Sequence, residues 1–201
     1  MNHHKKSAST QVRADITRTK ILKAARKLFV EFGFAGTSMG KIALKADINH
    51  SLIFHHFGNK EGLWKAVKQS IVEEAHRLSP TLPELHLSFP DFLMTLISRS
   101  IAFYRKNPDI IRMINWQRLE YKKKTDIGIT MSSESKSWLS ALQHYQDKGD
   151  INTQLKLEFI FTLILSIVSS AAMDPHIFIK DEIELNHYIR FLVDRLLIAL
   201  K

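Results

Sequence analysis

The sequence predicts an all-α fold of eight or nine helices. Apolar residues recur at i, i+3, i+4 and i+7 through most of the chain, helix-ending signals close those runs, and hairpin signals such as Asn-Gly turns are missing. With 201 residues, 45% of them hydrophobic, the chain has material for one or two packed domains. It has no cysteine, which excludes disulfide frameworks and zinc–thiolate sites.

Residues 1–14 are polar and small and predict a flexible basic arm. The first helix is expected from Asp15 or Thr17 to Phe32, with Ile21, Ala24, Ala25, Leu28, Phe29 and Phe32 on one face and Gly33 as a left-handed end. Thr37 or Ser38 can cap a short second helix holding Ile42, Ala43 and Ala46. The chain turns at Asp47-Ile48-Asn49, and Asn49 caps a short third helix whose Ile53 and Phe57 face the core with Ile48. A fourth helix starts after Asn59, carries Glu61 in its first turn and runs to about Leu78, before the break marked by Pro80 and Pro83. Further helices are expected over 90–106, 108–122, 128–148, 154–172 and 181–200. Asn107-Pro108, Gly149 and Asp174-Pro175 punctuate them.

Charge is unevenly placed. The net charge is +9, and residues 1–70 hold 13 of the 29 Lys and Arg but 4 of the 20 Asp and Glu, leaving 16 of each for residues 71–201. Clustered positive charge attracts polyanions, and nucleic acid adds the release of counterions. A merely solvated lysine-rich surface gives no reason for this confinement to one segment.

The same segment contains TSMGKIALKADINHSLIFHHFGNKE, from Thr37 to Glu61. Two short capped helices meet there at a tight turn. His50, Ser51, Phe54 and His55 point away from the core face of the second, with Leu52 at its edge. This pattern describes a helix-turn-helix whose second helix enters the major groove of DNA. None of His50, His55 and His56 makes an i, i+4 pair with another, so no metal site is expected.

Thr17 to Trp64 resembles the N-terminal domain of TetR-type (tetracycline-repressor-like) transcriptional regulators. The Ala24-Ala25 pair, Leu28-Phe29, Gly33, Thr37, Ile42-Ala43, His56-Phe57 and Lys60-Glu61 are all in register. The resemblance implies that Thr37 and Lys60 grip phosphates while His50, Ser51 and Leu52 approach bases. Ser38, Asn49, Phe54 and His55 complete the candidate DNA-binding set. At two positions the chain departs from the family pattern. Asp47 replaces the usual turn glycine and is expected to take the left-handed conformation with slight strain. Phe54 replaces a tyrosine whose hydroxyl meets a phosphate, so that contact is expected to give way to packing against sugar or a thymine methyl.

The expected organisation is a basic arm over 1–14, lying in a neighbouring groove or disordered without DNA; a DNA-binding domain over 15–65, with helix four linking to about 78; and an effector-binding and dimerisation domain over 79–201. In the last region, LKLEFIFTLILSIVSSAAM is apolar nearly all round. The final helix sets Ile183, Tyr188, Ile189, Leu192, Leu196 and Leu200 on a broad face that Phe191, Val193 and Leu197 widen. Core packing and a subunit contact both remain open for these surfaces. The resemblance implies a homodimer through the last two helices, a palindromic operator with half-sites about 34–36 Å apart or a multiple of that, and an unknown small-molecule effector. Phe103, Tyr104, Met113, Trp116, Gln117, Trp138 and Tyr145 are the candidate ligand-binding residues, with Arg118, Ser137 and His144 as further polar groups. Side chains of these types line cores more often than ligand pockets.

The leading functional expectation is therefore a dimeric, sequence-specific transcriptional regulator, a repressor released by its effector. The alternative is an adaptor that keeps the helix-turn-helix fold but acts through protein–protein contacts. An enzyme is not expected, since the chain lacks a glycine-rich phosphate loop, a His-Glu-x-x-His motif and any nucleophile–base arrangement. No cofactor is expected. Phe159 to Met173 is too short to span a bilayer and the N-terminus lacks a signal-peptide core, so a soluble cytoplasmic protein with no membrane partner is expected.

Overall fold

The computed structural model describes residues 3–78, 81–120, 133–173 and 179–201, and among these it is all-α as predicted, with nine helices and no strand. They are α1 (His3–Phe32), α2 (Met39–Ala46), α3 (His50–Phe57), α4 (Lys60–Leu78), α5 (Phe89–Lys106), α6 (Pro108–Glu120), α7 (Ser133–Asp147), α8 (Leu157–Met173) and α9 (Glu182–Ala199). The chain divides into two compact units, Met1–Glu74 with Arg112–Gly128, and Ala75–Ile111 with Ile129–Lys201.

The first unit is built on one apolar cluster. Ile21, Ala25 and Phe29 of α1, Ile42 of α2, Ile53 of α3, and Leu63, Trp64 and Val67 of α4 are fully buried. Trp64 stands edge-on to Phe29 and Phe34, with ring centroids 5.0 and 5.6 Å away. Burying an aliphatic or aromatic side chain of this kind stabilises by about 1.5–3 kcal/mol. α1 starts at His3, earlier than Asp15 or Thr17. Within its extension, Val12 and Ile16 are exposed. The extension rests on residues with good helix propensity, such as Gln11, Arg13 and Ala14.

The corner between α1 and α2 is closed by short-range bonds. Gly33 takes φ 71°, and its N–H donates to Phe29 O at 3.0 Å. Thr37 is buried, and its hydroxyl proton is shared between Gly33 O at 2.8 Å and Leu28 O at 3.1 Å. One part of the first unit arrives from far along the chain. Trp116 Nε1 donates to Val30 O at 3.2 Å, Ala35 N donates to Glu120 Oε2 at 2.9 Å, and Lys68 Nζ donates to Gln117 Oε1. These bonds join residues 116–120 to α1, the corner and α4.

In the second unit α5 packs against both α8 and α9, and α7 against α8. Phe92, Leu93, Leu96 and Ile97 of α5 meet a core completed by Ile160, Ile164 and Val168 of α8 and by Leu185, Ile189, Leu192 and Leu196 of α9. Ser88 caps α5, with Pro90 in its first turn, and Asp181 caps α9 by accepting from the N–H groups of Ile183 and Glu184. α8 begins at Leu157, later than expected, because the preceding residues form a bonded turn. Gln146 Nε2 donates to Asn152 O and Leu155 O, and Asn152 N donates to Leu200 O. The single broad face expected of α9 divides: Leu192 and Leu196 are buried, while Ile183, Phe191 and Ile198 are exposed. The ends expected at 121–122 and 128–132, Pro80 and the Asp174-Pro175 break lie outside the described residues. No helix among the described residues is long and apolar enough to cross a membrane.

Gly33 offers a test of the corner. A Cβ there would lie 2.5 Å from Glu120 Oε1 and 2.7 Å from the Trp116 ring, at a positive φ that L-residues disfavour, whereas Gly149 has φ 82° but nothing within 4 Å. Left-handed strain alone costs about 1–2 kcal/mol, and overpacking adds about 1–3. Gly33→Ala is therefore expected to lower the melting temperature clearly more than Gly149→Ala, which is checked by thermal melts of the two variants.

Candidate nucleic-acid interface

Ser38 opens α2, its Oγ accepting from Lys41 N at 3.2 Å, which leaves the hydroxyl proton free to donate outward. The C-cap, Asp47, adopts φ 53° and ψ 57°, and its N–H turns back to the last carbonyls of the helix. The left-handed conformation expected of an aspartate in the glycine position is thus present. Asn49 opens α3, where Oδ1 accepts from both Ser51 N at 2.9 Å and Ser51 Oγ at 2.8 Å. Because the Ser51 hydroxyl donates to its own cap, its lone pairs are what it presents to an outside group.

Only Ile53 of α3 is fully buried. His50, Ser51, Leu52, Phe54 and His55 are exposed, Leu52 by 38% and Phe54 by 44%. The His50 and Phe54 rings, one turn apart, meet edge-on with centroids 5.0 Å apart. They form a continuous surface of aromatic faces and one hydroxyl. His56 is half-buried. Burial pushes its imidazole below the ordinary value, His55 and Arg18 add repulsion, and Asp15 opposes them. Together these effects favour its neutral form. Among the described residues no group of three or more His, Asp or Glu is close enough to hold a metal ion.

Lys60 stands at the start of α4, its Nζ 4.4 Å from the centroid of the Phe34 ring. Burial depresses its pKa, and the carboxylates of Glu120 and Glu61 oppose that shift. The ammonium is pre-placed over an aromatic face, an arrangement that limits its rotamers. Asn59 caps this helix, its Oδ1 accepting from Gly62 N at 2.8 Å.

Thr37 is placed otherwise than expected. It is 1% exposed and its hydroxyl is bonded to the end of α1, so a phosphate grip by this side chain does not fit. The reason is local: α1 ends in carbonyls that need donors, and Thr37 lies within reach of two of them. Ser38, one residue on, takes the cap and the surface position.

The candidate ligand residues are divided between the two units. Met113, Trp116 and Gln117 fall in the first unit; Phe103, Tyr104, Trp138 and Tyr145 fall in the second. Trp116 donates to Val30 O of α1, and Gln117 accepts from Lys68 of α4. Tyr145 is buried against Phe89 and Phe92, with its hydroxyl donating to Leu87 O at 3.0 Å. Trp138 packs edge-on to Phe161.

Sequence reasoning missed three groups. Lys41, Leu44 and Lys45 lie on the exposed side of α2, Leu44 being 85% exposed, and α2's period was available to show it. Arg18 places its guanidinium 5.4 Å from the Phe57 ring centroid. Glu120, far along the chain, bonds the corner at Ala35 with no signal in local pattern.

A capped, exposed eight-residue helix held by two supporting helices, in the basic part of the chain, defines a helix-turn-helix DNA-binding regulator. Residues 21–67 match the family model of bacterial regulatory proteins, tetR family, and residues 93–187 match that of the tetracyclin repressor-like C-terminal domain. The chain belongs to the TetR family of transcriptional regulators. It is 27% identical to the HTH-type transcriptional repressor NicS of Pseudomonas putida, over 77% of this chain and 74% of that protein. It is 26% identical to the HTH-type transcriptional regulator UidR of Escherichia coli K12, over 82% and 84%. A solved TetR-family regulator of Haemophilus influenzae shares the fold with a TM-score of 0.65 at 19% identity, over 92% of this chain and 97% of that one.

Restoring a hydroxyl at position 54 tests the surface. Phe54→Tyr is expected to tighten binding to DNA by a few-fold, since one added phosphate bond is worth about 0.5–1.5 kcal/mol. Titration of both proteins on one duplex checks it.

Proposed function

We propose that the chain is a homodimeric, sequence-specific repressor of the cytoplasm, released from a palindromic operator by a small-molecule effector. The observation that carries this reading is the exposed face of α3, which offers base-sized polar and apolar groups with their caps already in place. Ser51 acts as an acceptor toward a base amino group, and Phe54, with Leu52, meets a thymine methyl. Ser38, Asn49 and Lys60 face phosphates, and His50 and His55 complete the surface. Two of the relatives it resembles are named transcriptional repressors. No step of this function calls for catalysis or a cofactor.

The partner in the dimer is a second copy. α8 leaves Phe159 and Leu163 exposed, and α9 leaves Ile183, Phe191 and Ile198 exposed by 68%, 56% and 65%. Such apolar faces suit burial against the same faces of another chain. An effector that binds the DNA-incompetent state more tightly lowers operator affinity, and bound DNA lowers effector affinity equally. The buried aromatic side chains of Phe103, Tyr104, Trp138 and Tyr145 are its candidate lining in the second unit.

Selection of bound fragments from a random duplex library tests the reading: an enriched palindrome is the expected result. With the selected duplex, Lys60→Ala is expected to weaken all sequences alike and to reduce the salt slope by about 0.9, whereas Ser51→Ala alters preference at one base pair by about 1–3 kcal/mol. No enrichment would favour the adaptor reading, for which the exposed Leu44, Leu52 and Phe54 supply an apolar surface. Phe191→Glu is expected to turn a dimer into a monomer in sedimentation, because the charge would be buried at the contact.

A further inference from the structure

Glu120 is a carboxylate in the basic part of the fold, where its charge favours the ammonium of Lys60. It belongs to a unit that contains the basic first seventy residues, and a carboxylate there repels the polyanion that their positive charge attracts. Non-specific attraction to DNA is not served by it. What it supplies is a hydrogen-bond acceptor. Its Oε2 accepts from Ala35 N at 2.9 Å, a backbone donor in the turn between α1 and α2.

The bond does not stand alone. Trp116 Nε1 to Val30 O and Lys68 Nζ to Gln117 Oε1 come from the same turn of α6, so residues at i, i+1 and i+4 hold the end of α1, the corner and α4 together. Trp116 and Glu120 also fill the space beside Gly33 that any side chain there would need. The next residue, Phe34, lies under Lys60. Whatever fixes the corner therefore fixes both the direction of α2 and the seat of the lysine at the start of α4.

We infer that Glu120 is a positioning residue for DNA binding, acting through the Ala35 N–H to hold the α1–α2 corner so that Lys60 and the exposed face of α3 are presented together. The inference rests on the proposed DNA-reading function. Without the bond the corner populates other arrangements, and apparent affinity falls by the fraction that remains competent. A bond from a backbone N–H to a charged acceptor corresponds to roughly tenfold in such a population ratio.

The test uses the full chain, the duplex that the wild-type protein selects, and an unrelated duplex of equal length, at about 150 mM salt. Glu120→Ala is expected to bind the selected duplex roughly tenfold more weakly while binding the unrelated one at least as well, since a negative charge has gone. Glu120→Gln keeps an acceptor for Ala35 N without the charge and is expected to restore selected-duplex binding to the wild-type level or above it. Equal tightening by both variants on both duplexes would overturn the inference by leaving charge as the whole effect. So would a Glu120→Ala protein that loses helical content and is not restored by glutamine, because the role would then be general to the fold. If the wild-type protein selects no duplex, the DNA-reading function falls and the inference with it. If it selects one and Glu120→Ala binds that duplex unchanged, the inference alone falls.

Discussion

The turn from Gly33 to Thr37 is the constraint on which the first unit depends. α2 and α3 have eight residues each, and isolated helices shorter than about 12–15 residues are marginal in water. They persist because they are docked, and the corner sets how they dock. Its geometry is fixed by one glycine with positive φ, one threonine hydroxyl turned inward and one carboxylate arriving from α6. Each satisfies a backbone group or fills a space at the corner.

Much of this was legible in the sequence because it is local. The caps Ser38 and Asn49, the left-handed ends at Gly33 and Asp47 and the buried Ile21, Ala24, Ala25, Leu28, Phe29 and Ile53 follow from residues within a turn or two of one another, whereas Phe32, expected on the same face of α1, is exposed. What was not legible has a common cause as well. The phosphate role of Thr37 is what the family resemblance implies, and only the carbonyls left by α1, folded back over it, show why its hydroxyl turns inward. Trp116 and Gln117 read as pocket residues because they are aromatic or polar on a middle helix; their partners Val30 and Lys68 are 86 and 49 residues away. The early start of α1 escaped notice because it rests on propensity without an apolar face.

The second unit shows the converse limit. Its helices are so apolar that sequence distinguishes poorly between a side buried inside the chain and one left for a neighbour. α5 resolves the matter for α8 and α9 by packing against both, and whatever points away from that core, such as Phe159 and Phe191, stays exposed. Two chemically similar residues, Phe191 and Leu192, are adjacent in sequence and opposite in environment.

α3 has no lysine or arginine, while Lys41, Lys45 and Lys60 stand on the helices before and after it. On a DNA-reading protein this separates finding from holding. In the proposed function the flanking lysines would engage phosphates, which are alike at every step of the duplex, and so would let the molecule travel along it. α3 makes its contacts only where the bases suit them, and only after the water between has been expelled. Travel and halt are then set by different residues: changes on α2 or at the start of α4 alter how quickly a site is reached, and changes on α3 alter how long the protein stays there.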